Sequence, residues 1–174
     1  MNFRINYRWS FRRSIGLCAY FAMIVACDLP ASVTGMIPAS FETVRKHPQS
    51  VHVSVTGGQE TEAVGRPHVR NSAFAQALVQ SIERSQTFAK VFEGQSKAAD
   101  YLLTATLFSL DKRAFGRTVR LEVGWTLRRS DTGVVAWQES IVSESTEGNV
   151  QVATEGAARN NIAQALGKIS RLNL

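Results

Sequence analysis

Hydrophobic and polar residues alternate most cleanly in "RTVRLEVGWTLRRS". Val119, Leu121, Val123, Trp125 and Leu127 fall on one side, and Thr118, Arg120, Glu122, Thr126 and Arg128 on the other. A period of two with one apolar side predicts a half-buried antiparallel strand. "SDTG" then marks a turn in which Gly133 can take a positive φ, and "VVAWQESIV" is the returning strand. Upstream, "SVHVSVTGG" alternates Val51, Val53 and Val55 with polar residues and stops at Gly57-Gly58, a first strand. "ADYLLTATLFSL" predicts a strand from about Ala99 to Leu110, and "FAKVFE" a brief one.

Two stretches change period. In "NSAFAQALVQSIERS", Phe74, Ala77, Leu78, Ser81, Ile82 and Ser85 share one helical face, with Asn71 or Ser72 as N-cap. Near the C-terminus, Ala158, Ile162, Ala165, Ile169 and Leu172 do the same. The order is therefore β-α-(β)-β-β-β-α, with the last three strands as a meander. Two apolar helix stripes need one sheet face to bury them. The fold class is α+β, a two-layer sandwich of about four largely antiparallel strands with two helices on one face.

The N-terminus follows neither period. Ile15 to Ala26 is a run of 12 uncharged residues preceded by Arg4, Arg8, Arg12 and Arg13 with no acid. A bilayer needs about 20 apolar residues as a helix, so the run fits the core of a signal peptide instead. It ends in Ile24-Val25-Ala26-Cys27. This resembles the lipobox of bacterial lipoproteins, which implies diacylglycerol on Cys27, cleavage before it and acylation of the new amino terminus. An uncleaved signal anchor is the other reading, and both export residues 28–174. The organisation expected is a signal peptide over 1–26, a lipidated Cys27 with a flexible tether to 48, and a single periplasmic domain over 49–174. Residues 28–48 hold three of the four prolines and no periodicity, although Met36, Ile37 and Phe41 could order them against the domain.

Processing also changes the charge. The 20 Lys and Arg against 14 Asp and Glu become 16 against 14 once the four leader arginines go. The remaining basic pairs are scattered, so nucleic acid is not an expected partner. Cys18 goes with the leader and Cys27 takes lipid, leaving no disulfide.

Chemistry is sparse. His47, His52 and His68 form no close helical pair, so no metal site and no cofactor are expected. "TGG" at Thr56–Gly58 lacks phosphate-loop spacing and lysine and reads as a strand-ending turn. Asp111, Glu122 and Glu139 each have a surface reading, with Glu139 odd in sharing parity with Trp137 and Ile141. On 99–110, Leu102, Phe108 and Leu110 share the parity of Thr104 and Thr106, which should face away from the helices alongside Arg120. That places an apolar patch on the open face, a candidate partner surface.

The lipobox, the proline-bearing tether and the element order resemble small bacterial envelope lipoproteins. The phrases "AFAQALVQSIERSQTFAKVFE", "ADYLLTATL", "RRSDTGVVAWQESI" and "EGAARNNIAQAL" are similar to a poorly characterised family of that kind, over roughly residues 50–172. The element order also resembles the lipoprotein that plugs the lipopolysaccharide-inserting outer-membrane barrel. The resemblance implies attachment to a membrane through lipid, inner or outer undecided, and an unidentified envelope protein as partner. Two function classes stay open. One is a non-catalytic binding or assembly module, and the other a periplasmic small-ligand binder or enzyme with its site under the 57–71 loop.

Overall fold

A computed structural model describes residues 30–40, 42–58, 68–93, 99–112 and 118–174. The signal peptide and Cys27 lie outside them. A short helix α1 (Val33–Met36) is followed by β1 (His47–Thr56), α2 (Asn71–Ser85), β2 (Phe88–Glu93), β3 (Tyr101–Lys112), β4 (Val119–Arg129), β5 (Val135–Ser145) and α3 (Val150–Ile169). The α+β architecture is as expected, with one strand more. "FAKVFE" is a full member, and the sheet order is β2-β1-β3-β4-β5. β1 is parallel to both β2 and β3, whereas β3, β4 and β5 form the antiparallel meander. Gly133 closes its second turn at φ 69°.

The period-two patterns hold through β4 and through β3 as far as Leu107. Val51, Val53, Leu103, Ala105, Leu121, Val123, Trp125 and Leu127 are buried under α2 and α3. From α2 come Phe74, Ala77, Leu78 and Ile82, and from α3 Ala158, Ile162, Ala165 and Ile169. Trp125 is the meeting point. Its ring lies 6.1 Å from that of Phe74, and its Nε1–H donates to Asn161 Oδ1 on α3 at 2.9 Å. Asn161 Nδ2 donates in turn to the Ile141 carbonyl (2.9 Å) and to Ser143 Oγ (3.1 Å). Ser143 Oγ–H donates to the Ala157 carbonyl at 2.8 Å. These buried polar atoms are satisfied by one another, as burial requires.

The helix caps differ from expectation. Asn71 is the first helical residue of α2 rather than its cap, and its Oδ1 accepts the Gly58 N–H at 2.7 Å. At α3, Asn149 caps the helix by accepting from Val152 N–H.

The larger difference lies in the expected tether. Its described residues run alongside α3 from the helix's first turn to beyond its last. Gln151 Nε2 donates to the Pro30 carbonyl (3.4 Å), and Ser32 N–H donates to Glu155 Oε1 (2.8 Å). Arg159 donates to the Gly35 carbonyl, Val44 N–H to Ser170 Oγ, and Arg45 to the Leu172 carbonyl. Met36 is 0% exposed, and Ala31 and Ile37 are buried beside it. Proline kept this stretch out of either period, but three apolar side chains suffice to seat it. No helix of the described residues is long and apolar enough to cross a membrane.

Met36→Ala should therefore cost about 2–5 kcal/mol, as for other buried methionines. A chain beginning at Pro48 should lose at least as much relative to one beginning at Pro30. Urea denaturation measures both, and equal midpoints would exclude residues 30–47 from the cooperative unit.

Candidate functional site

With both long helices on one side, the other side of the sheet is uncovered by any described element. Strand register assembles it in rows. At one end, Phe92, His52, Leu102 and Arg128 follow one another across four strands. In the middle lie Ser54, Thr104, Thr126 and Gln138, then Thr56, Thr106, Gly124 and Ser140. Beyond them Glu122 accepts a hydrogen bond from Ser140 Oγ (3.0 Å) beside Val142.

Phe108 dominates this face at 61% exposure. Its ring lies on Gly124, where a Cβ would stand 2.5 Å from two ring carbons. Glycine in β4, an interior strand, thus provides the flat seat that holds an aromatic ring in water.

Of the four residues assigned to a partner surface, three keep their place. Leu102, Phe108 and Arg120 are on the open face, with Arg120 in register with Asp111 and Glu144. Leu110 is not. A bulge between Leu107 and Ser109 shifts the register by one, pairs Leu110 with buried Leu121 and turns it to the helix-covered side. Nor do Leu102 and Phe108 meet. Six residues of strand, about 20 Å, separate them, and Thr104 and Thr106 lie between. The patch is two apolar spots on a hydroxyl-rich slab.

A second feature lies at the end of the sheet where β1 stops. Gly57, Gly58, His68, Val69, Leu107, Leu110 and Leu121 line a cavity of about 130 Å³. Gly57 has φ 85°, and its Cβ position lies 2.4 Å from the Leu107 carbonyl oxygen, so glycine is required for the turn to sit there. His68 is 2% exposed, and neither ring nitrogen has a partner among the described residues. Sequence spacing gives no warning of this, because it is burial that makes the histidine unusual. The other two histidines differ. His47 is buried with Nε2 3.0 Å from the Ile169 carbonyl, and His52 stands half-buried on the open face, its Nε2 also without a partner among the described residues. Most of the 57–71 loop, the candidate cover of a small-ligand site, lies outside the described residues.

The carboxylates do not converge. Glu139 lies on the covered side and pairs with Lys168 of α3. Asp111 is exposed. Asp131, in the β4–β5 turn, is held well below the usual carboxylate range by hydrogen bonds from Arg129. Asp100 is lowered by hydrogen bonds from Ser50, which join the start of β3 to β1. Both are fastenings of turns. No three His, Cys, Asp or Glu among the described residues are placed to share a metal ion.

No family model matches this chain, and no curated protein does. Solved structures do. A Xanthomonas campestris protein of the family described as DUF330 matches with a TM-score of 0.54 at 15% identity, over 76% of this chain and 90% of its own. PelC from Paraburkholderia phytofirmans, crystallised as a dodecamer, matches at 0.53 and 16% over 78% and 96%. The hypothetical protein CT253 of Chlamydia trachomatis matches at 0.52 and 8%, over 70% and 98%. At these identities the likeness is one of fold.

The two sides of the sheet should respond differently to truncation. Trp125→Ala should cost about 3–5 kcal/mol, and Phe108→Ala less than about 1 kcal/mol. Chemical denaturation of the two variants measures the contrast, and a Phe108 cost equal to that of Trp125 would show that the exposed ring belongs to the core.

Proposed function

We propose that this chain is a lipid-anchored protein of the bacterial envelope that uses its open sheet face to bind a protein partner, acting as a non-catalytic assembly module. The observation that carries the reading is the pairing of Phe108 with Gly124. A protein gains nothing in stability by holding a phenyl ring 61% exposed, and a partner that covers the ring recovers the burial, about 25 cal/mol per Å² of apolar surface. The surrounding Thr104, Thr106, Thr126, Gln138 and Ser140 supply hydroxyl and amide groups for a polar rim, as protein interfaces have. Support for the anchor comes from the basic leader, the short apolar run and the lipobox-like Ile24-Val25-Ala26-Cys27.

A PelC of this fold is dodecameric, so a second copy of the chain is one occupant that an experiment must separate from a different protein. A small-ligand reading retains one specific support, the unpartnered His68 at its 130 Å³ cavity. Buried polar groups are normally satisfied, and a bound small molecule with one hydrogen-bonding head would satisfy this one.

A photo-crosslinking residue in place of Thr106 should capture a neighbour in intact cells, identified by mass spectrometry as this chain or another. Phe108→Glu, in the same background, should abolish the adduct and leave the melting temperature unchanged. An adduct that survives Phe108→Glu, or a variant that unfolds, removes the open face as the binding surface.

A further inference from the structure

Pro30 and Ala31 fix one point of the chain to one end of the domain. Gln151 in the first turn of α3 holds the Pro30 carbonyl, and Ala31 N–H donates to the His68 carbonyl. Strand directions show what else lies at that end. β1 finishes there at Thr56, β3 at Lys112 and β5 at Ser145, and β4 begins there at Val119. Arg129, Ser130 and Val135 lie at the opposite end, 11 residues of β4 away, which is about 36 Å.

Cys27 precedes Pro30 by three residues. Three residues span at most about 11 Å even when fully extended. A diacylglycerol on Cys27 therefore cannot let the domain roam, because the chain outside the docked segment is too short to act as a tether.

We propose that the end of the domain carrying Pro30, Thr56, Ser145 and the start of α3 faces the lipid bilayer at close range, with the sheet upright on the membrane. This deepens the lipid-anchor reading above and rests on it. In this pose the open face is perpendicular to the bilayer, and Phe108 sits on its membrane-proximal half. The β4–β5 turn at Asp131 points away from the bilayer. The partner surface is then confined to a layer about 40 Å deep above the membrane, given the length of the strands. A partner that reaches Phe108 binds within that layer.

The test uses the full chain, processed in cells and reconstituted in phosphatidylcholine vesicles containing a headgroup-nitroxide phospholipid. A fluorophore is placed on Thr146→Cys beside the Pro30 end or on Ser130→Cys at the far end, and incorporation of labelled fatty acid is followed on the same samples. Acylated protein with quenching at least threefold stronger at position 146 than at 130 is the expected result. A flexible stretch of 20 Gly and Ser residues inserted before Pro30, reaching about 25 Å, should erase the difference. Acylated protein with equal quenching at both positions overturns the upright pose and leaves the anchor intact. Protein that takes up no fatty acid, behaving as Cys27→Ser should, overturns the anchor and the pose with it.

Discussion

Trp125 is the residue on which the arrangement depends. Its ring is wholly buried in the middle of β4, against Phe74 of α2, and its Nε1–H is held by Asn161 of α3. A tryptophan in a core must find an acceptor for that proton, and the acceptor here belongs to a group that also binds β5 through Ile141 and Ser143. One side chain therefore sets the position of both long helices on the same side of the sheet. Leaving any one of these buried polar groups without its partner costs about 1–3 kcal/mol. That penalty opposes sliding of α3, which greasy contacts with alanines alone would resist weakly.

Fixing both helices on one side leaves the other to the solvent. The uncovered side meets this in two ways. Threonine and serine dominate the central rows: threonine keeps the strand preference of β-branched residues, and both hydroxyls tolerate water. Phe108, the most exposed apolar group on this face, is held out on a glycine, apart from Leu102 and Val142. The segment before β1 is added to the covered side, along α3, where the buried Glu155 accepts through its carboxylate from Ser32 N–H and from Gln151 Nε2. Together these make the covered side a closed structural unit.

Periodicity carried the sequence reading wherever an element has one wet side. The alternation of 119–127 and the stripe of α2 gave those elements and most of their buried residues directly, whereas the stripe of α3 gave the helix but only Ala158, Ile162, Ala165 and Ile169 of a much broader buried face. Short elements and contacts across distance were less visible. β2 has six residues, of which Ala89, Lys90 and Glu93 are exposed, so nothing in it shows that it joins β1 in parallel. Leu110 was assigned to the wrong side because a bulge adds one residue without any mark in composition. Asn161 sits among alanines as an ordinary polar residue until Trp125 is seen opposite it. The docking of residues 30–40 and 42–45 depends on Glu155, Arg159 and Ser170, more than 120 positions away. The lipobox-like motif ending at Cys27, by contrast, lies outside the described residues and rests on the sequence alone.

The most direct measurement is a double-mutant cycle between Trp125 and Asn161. Trp125→Phe keeps an aromatic ring and removes the donor, and Asn161→Leu keeps the volume and removes the acceptor. Urea unfolding of the wild type, both single variants and the double variant gives the coupling. If this bond locks α3 to the sheet, the double variant will lose less stability than the sum of the singles by about 1–2 kcal/mol. Costs that add to within about 0.3 kcal/mol would contradict the account, because the two residues would then be energetically independent and the helix cover would be held by something else.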